Sequence, residues 1–474
     1  MRFNTSHTMK KSTLDLNLSQ FEKYDLIEAK PIPSFSFFLF SISTSSLAPP
    51  PPPSSYQLIF GGFCENLGIL SRGWGGWVSV EEEDRGKVCI LSIDGGGMRG
   101  IIPARVLAYL EELLKRKSGN PEARIADYFD VLAGTSVGGV LATMLSACDA
   151  NNRPLFRADK TWRLIAEKGR SLFKVPNSLW SRVRGLVRPR FSSKQLERLL
   201  KQYLVRDGRP LTLRDTIKPV LIPCYDLATA GPFLFSRADA LENQTWNFNL
   251  WEVCRATTAV PSFFKPAYMK SVDGNTSCTA VDGGVVMHNP TAAAVTHVLH
   301  NKLEFPRVRG VHDLLVLSLG TGQMEQAYGY QTVRGWGSFK WVKPIAKIVL
   351  ESISDMIDHT ISMSFGDFRQ QYLRIQMSGL HCRVSGGEEE DLGSHAYVKR
   401  LMELADEVLD HKSMEHLPFG GRMPLNVSNR ERLDWFADQL VLEHNARSSR
   451  KSPTVILKPS CPTSCCCPHQ NSTT

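Results

Sequence analysis

Three short constellations in this 474-residue chain combine residue types that can do chemistry. Gly134-Thr135-Ser136-Val137-Gly138 fits G-x-S-x-G, with an apolar run, Tyr128–Ala133, before it and a small-residue helical stretch, Gly139–Ala147, after it. A strand that turns abruptly into a helix puts Ser136 on a tight elbow, and Gly134 and Gly138 must be glycine because side chains there would strike strand and helix. The helix N-terminus behind the serine favours negative charge developing in front of it. The chemistry this suits is nucleophilic attack by a hydroxyl.

The second constellation is Asp94-Gly95-Gly96-Gly97-Met98-Arg99-Gly100. Gly95, Gly97 and Gly100 also satisfy G-x-G-x-x-G after a strand, which allows a dinucleotide-binding turn. That reading wants an acidic residue about 20 positions on, at the end of a second strand. Here Glu111 and Glu112 lie inside a helical run and Asn120–Glu122 reads as loop. The alternative is an oxyanion hole, in which side-chain-free residues let successive amides point at one oxygen.

The third is Asp282-Gly283-Gly284, reached from the extended stretch Cys278–Val281. Taken alone it is an ordinary Asp-Gly turn. A serine hydrolase needs a base, and of His288, His297, His300 and His312 none stands in a recognisable loop after a final strand; His288 is nearest to a motif. A conventional Ser-Asp-His triad would need one of these or a later histidine.

The elements that would hold these residues alternate. Val88–Ile93 is a continuous apolar run ending at the first glycine turn, and Ile101–Lys115 then carries Val106, Leu110, Leu113 and Leu114 at helical spacing. Val220–Tyr225 and Leu314–Leu319 read as buried strands, the latter ending in Gly320-Thr-Gly322. Strand–helix alternation predicts an α/β fold with a mainly parallel central sheet flanked by helices on both faces. Ser192–Leu204, Val398–Leu409 and a stretch after Ser428 read as helices, with Ser192/Gln195 and Ser428/Glu431 spaced as capping boxes.

Read as domains, residues 1–85 are an appendage without stable structure, 86–445 the catalytic domain and 446–474 a flexible cysteine-rich tail. The appendage holds the apolar run Ser34–Ile42, too short to span a bilayer, and the proline tract Pro49–Pro53. Composition is ordinary for globular protein, 42% hydrophobic and 22% charged, with mean hydropathy −0.18, which excludes a fibrous repeat and a polytopic membrane protein. Eleven cysteines without a CxxC pair suggest reduced thiols and no metal site.

In this order, the three motifs resemble the signatures of the patatin-like phospholipases, and Leu250–Pro266 is similar to the plant members. The resemblance runs from about Lys87 to Lys458. It implies a Ser-Asp dyad without histidine: Ser136 attacks an ester carbonyl of a phospholipid or galactolipid and Asp282 takes its proton. Gly95, Gly96, Gly97 and Met98 would supply oxyanion-hole amides. Arg99, Gly100, Gly134, Gly138, Gly283 and Gly284 would support the loops. Water activated by Asp282 would free the fatty acid. No cofactor is implied. A catalytically silent lipid-binding protein of the same fold, or a nucleotide binder built on Gly95–Gly100, are the alternatives.

The net charge of +9 is localised: Arg153–Asp215 holds 17 basic and 5 acidic residues. The expected partner is an anionic membrane surface bearing the lipid substrate. Nucleic acid is not expected, because no aromatic platform accompanies the cations. The expected location is cytoplasmic with peripheral membrane contact, and tail cysteines Cys461, Cys465, Cys466 and Cys467 are candidates for S-acylation.

Overall fold

The computed structural model describes residues 85–174, 188–323, 328–377, 392–418 and 421–457. The Ser34–Ile42 run, the proline tract, Arg182, Arg184 and the tail cysteines lie outside them. Eight strands among the described residues form the central sheet: β1 Val88–Ile93, β2 Val131–Gly134, β3 Val220–Asp226, β4 Gly231–Ser236, β5 Ala267–Lys270, β6 Ser277–Asp282, β7 Leu314–Leu319 and β8 Tyr372–Ile375. The order β8-β7-β1-β2-β3 is parallel throughout, with Ser92 opposite Ala133 on one side and Ser318 on the other. β4 and β6 pair antiparallel with β3, and β5 antiparallel with β6.

One feature of this topology makes the site. β4 takes one whole edge of β3, so β2 and β6 must divide the other. β2 runs beside the start of β3, with Ala133 opposite Leu221, and β6 comes from the opposite direction to finish with Asp282 opposite Cys224. The two strands end facing each other across Ile222 and Pro223. The chain that follows β2 and the last residue of β6 therefore arrive at one place.

Helices cover both faces, as the alternation predicts. Those of eight residues or more among the described residues are α1 Ile101–Ser118, α2 Val137–Ser146, α3 Ala158–Leu172, α4 Ser193–Tyr203, α5 Leu250–Thr257, α6 Thr291–His300, α7 Ser338–Phe365, α8 His395–Asp410 and α9 Asn429–Arg447. Cys89, Leu91 and Ile93 face α1, α8 and α9; Val88 and Ile90 face α6 and the end of α7. A strand buried on both sides must be apolar at every position, which is why β1 and β7 read as unbroken runs. A third apolar cluster joins α4 and α5 to the antiparallel half of the sheet.

Ser428 and Glu431 form the expected capping box, and Ser192 caps α4 by accepting from the Gln195 amide. Several elements differ from the sequence reading. β4, β5, β8, α3, the 28-residue α7 and a hairpin over Lys412–His416 and Arg422–Ser428 had no expectation. The body also continues past 445: Thr454 donates to the Arg85 carbonyl at 2.9 Å and the Ile456 amide to the Glu304 carbonyl at 2.8 Å. Residues 446–457 are thus tied down rather than part of a loose tail. No described helix is long and apolar enough to cross a membrane.

Candidate active site

Ser136 is the residue between β2 and α2. Its backbone has φ 53° and ψ −124°, a conformation that costs a non-glycine residue about 1–3 kcal/mol and persists only where surroundings enforce it. The enforcement is visible. The Thr257 hydroxyl accepts the Ser136 amide at 2.9 Å, and the Gly138 amide returns to the Thr135 carbonyl at 2.8 Å. A Cβ on Gly134 would lie 2.1 Å from the Gly138 carbonyl oxygen, and one on Gly138 would lie 2.3 Å from that of Ile93. Both obstacles are backbone, so only glycine lets strand and helix approach this closely.

Asp282 ends β6 and is buried, 5% exposed like Ser136. Its Oδ1 accepts the Gly284 amide at 2.7 Å. Burial pushes its pKa up to about 7, against the opposing pull of the Ser136 hydroxyl and the Gly284 amide. The Ser136 hydroxyl stands close enough to the carboxylate to pull on its pKa, while Oδ2 makes no full hydrogen bond among the described residues. Gly283 packs against β3, where a Cβ would come within 2.3 Å of the Pro223 carbonyl oxygen.

The glycine loop lies over the serine: a Cβ on Gly95 would sit 3.4 Å from that of Ser136 and 3.1 Å from His288 Nδ1. The Gly95 amide is already committed to the His288 carbonyl at 3.1 Å. Gly97–Gly100 forms a 3-10 turn leading into α1, with Gly96 as its cap. The first amides of such a turn, those of Gly96, Gly97 and Met98 here, have no acceptor within it. Met98 is anchored by its side chain, which packs against Gly169 of α3, and Gly100 fits closely on Val137. Arg99 Nη1 donates to the Gly322 carbonyl at 2.7 Å and the Thr321 hydroxyl to the Gly95 carbonyl, clamping the loop to the turn after β7.

His288 adjoins both glycine motifs, yet no described hydrogen bond joins its ring to Ser136 or Asp282. Burial, then the nearby charges of Arg99 and Arg374, push its pKa down to about 4, so it is neutral at neutral pH. Beneath the loop, Arg374 binds Asp94 and Asp358. Asp358 also accepts from Asn289 Nδ2 at 2.6 Å. Sequence reasoning missed this network, as it missed Thr257 and Thr321.

Within Arg153–Asp215 several described cations are already paired: Arg153 with Asp127, Arg157 with Asp159, and Arg206 and Arg209 with Asp215. Among the described residues no cluster of three His, Cys, Asp or Glu could hold a metal ion.

Residues 91–295, which contain all three motifs, match the family model "Patatin-like phospholipase". Patatin-like protein 6 of Arabidopsis thaliana is 51% identical over 384 residues, covering 80% of this chain and 76% of that one. Patatin-like protein 7 of the same plant is 49% identical, covering 80% and 77%. A protein named probable inactive patatin-like protein 9, also from Arabidopsis thaliana, is 45% identical, covering 77% and 89%. With likeness of this extent and the motifs assembled around one elbow, the chain belongs to the patatin-like phospholipase family of lipid acyl hydrolases.

Proposed function

We propose that this protein hydrolyses fatty-acyl esters of membrane phospholipids or galactolipids through a Ser136–Asp282 dyad. The observation that carries the reading is the buried Asp282 carboxylate beside a serine on an enforced elbow, with a pKa raised to about 7. An ordinary aspartate is too weak a base to take a hydroxyl proton; a desolvated one near 7 is matched to the task.

In the first half-reaction Ser136 Oγ attacks the carbonyl carbon as Asp282 accepts its proton. The carbonyl oxygen becomes an oxyanion facing the amides of Gly96, Gly97 and Met98. Collapse expels the lysolipid oxygen, which takes the proton from Asp282, and leaves the acyl group on Ser136. Water, deprotonated by the same carboxylate, then attacks the acyl-enzyme ester, and as the carbonyl re-forms Ser136 Oγ leaves, taking the proton back from Asp282 and releasing the fatty acid. The cations of Arg153–Asp215 would draw the protein toward anionic headgroups from a distance.

A catalytically silent lipid binder is the second reading, prompted by the relative whose name marks it as inactive. Ester hydrolysis by wild type, Ser136→Ala and Asp282→Asn separates them. The dyad requires wild-type activity and losses of several orders of magnitude in each variant with the fold retained; no activity in wild type leaves the silent binder.

A further inference from the structure

The helix α7 is longer than the sheet it covers. Its 28 residues run about 42 Å at 1.5 Å per residue, whereas the six residues of β7 span about 20 Å. It connects β7 to its parallel neighbour β8, so it runs back against the strands and begins at the edge where β1, β2 and β7 deliver Asp94, Ser136 and Gly320. That edge is marked on the helix: Asp358 shares Arg374 with Asp94, and Asp355 accepts from Gln323, just beyond β7. Ser354, Asp358, Ile361 and Phe365 are buried, at i, i+4, i+7 and i+11. No described side chain from Ser338 to Ile353 is buried. The first four turns overhang the catalytic edge.

The overhang is two-sided. Val342, Ile345 and Val349 stand at i, i+3 and i+7, and are 68%, 49% and 47% exposed; Met356 continues their line. At about 100° per residue this stripe lies opposite the buried one, while Lys340 and Lys347 fall on the other face. From Tyr328 to Leu350 the sequence has the cations Arg334, Lys340, Lys343 and Lys347 and no acidic residue. At the start of the helix Trp336 packs edge-on against Tyr328 and Trp341, with ring centroids 5.2 and 5.1 Å away, and Tyr330 is 74% exposed.

Bare apolar stripes are rare on a protein that meets only water. Backed by cations and flanked by Trp and Tyr, such a stripe has the make-up of a helix that lies in the plane of a bilayer interface. We propose that the overhang of α7 seats this protein on a lipid bilayer, with Val342, Ile345 and Val349 entering the acyl boundary. The inference rests on the lipid acyl hydrolase reading: the bilayer holds the ester, and the overhang rises from the edge that carries Ser136.

The test is flotation of the full chain with vesicles of phosphatidylcholine containing phosphatidylserine, made in the Ser136→Ala background so that no lipid is consumed. Adding Val342→Ser, Ile345→Ser and Val349→Ser should cut the floated fraction at least tenfold. In the chain with Ser136 intact, the triple substitution should lower hydrolysis of vesicle phospholipid at least tenfold and leave that of a soluble short-chain ester unchanged. Flotation equal to the parent overturns the proposal. If elution volume, or protease protection of residues 34–42, changes at the same time, the face is covered by a second copy or by the Ser34–Ile42 run. Should the soluble ester go unhydrolysed while flotation still depends on the stripe, the catalytic reading fails and the docking surface stands.

Discussion

Arg374 grips Asp94 with two bonds, Nη2 to Oδ2 at 2.7 Å and Nη1 to Oδ1 at 3.0 Å, although 280 residues separate them. The same guanidinium reaches Asp358 Oδ2 through Nε at 2.9 Å and Ser318 Oγ through Nη1 at 2.9 Å. Asp94, the leading residue of the glycine loop, is fully buried. It acts as a strut rather than a reacting group: it ties the loop to the edge strand β8, and through Asp358 and Asn289 to α7 and the turn after Asp282.

Removing that cation should be expensive. Arg374→Met leaves two buried carboxylates without their shared partner, and breaking a buried pair in this way costs about 3–5 kcal/mol. Thermal denaturation should show a clear fall in Tm, together with weaker hydrolysis as the loop loosens. An unchanged Tm would mean the network contributes nothing to the fold.

The pH dependence follows from Asp282. The base must be ionised, so kcat/KM on a soluble ester should rise with pH through an apparent pKa near 7 and then level off. A profile already flat at pH 5 would contradict a desolvated base.

Stability should move the other way. Because the folded pKa of Asp282, about 7, lies above its ordinary 3.8, the folded state holds a proton that the unfolded state has lost between these values. Its stabilising effect is complete below about pH 4 and gone once pH passes 7. Asp282→Asn removes this dependence, so the variant and wild type should unfold alike near pH 4. Near pH 8 the variant should be the more stable, by up to about 4 kcal/mol. Denaturant unfolding at the two pH values measures the difference.

Much of this arrangement could be read in the chain, for physical reasons. The ends of β1 and β7 match their apolar runs because both faces of those strands are covered. The three motifs are local: each needs glycine where neighbouring backbone or side chains leave no room for a Cβ, and that need shows in three to seven consecutive residues. What the sequence hides is distant or divided. No local pattern announces that Arg374 will meet Asp94. β4 carries Pro232, tolerated at a strand that pairs on one side only among the described residues, and the proline masks the strand. In α7 the apolar stripe of the first half faces out and that of the second half faces in, so no single period runs through it.

The elbow glycines should not tolerate even a methyl group. Gly138→Ala pushes a Cβ to 2.3 Å from the Ile93 carbonyl oxygen, which neither chain can yield without moving β1 or α2. The expected result is a loss of at least about 1–3 kcal/mol and of nearly all activity, read by melting and ester assay. A fully active variant would show that strand and helix are not held this closely.

His288 offers the sharpest alternative to the dyad, since its ring lies beside both glycine motifs. Neutral and unbonded to Ser136, it should matter much less: His288→Ala should lower kcat/KM by under about tenfold, against several orders of magnitude for Ser136→Ala. Equal losses with intact folds would make the histidine the base.

The most direct test of the central claim is to trap the nucleophile. Wild type treated with a fluorophosphonate should gain a single covalent adduct, and peptide mass spectrometry should place it on Ser136. The Ser136→Ala variant should gain none, and Asp282→Asn should react far more slowly while remaining folded. An adduct on any other residue, or none on the folded wild-type chain, would contradict the account.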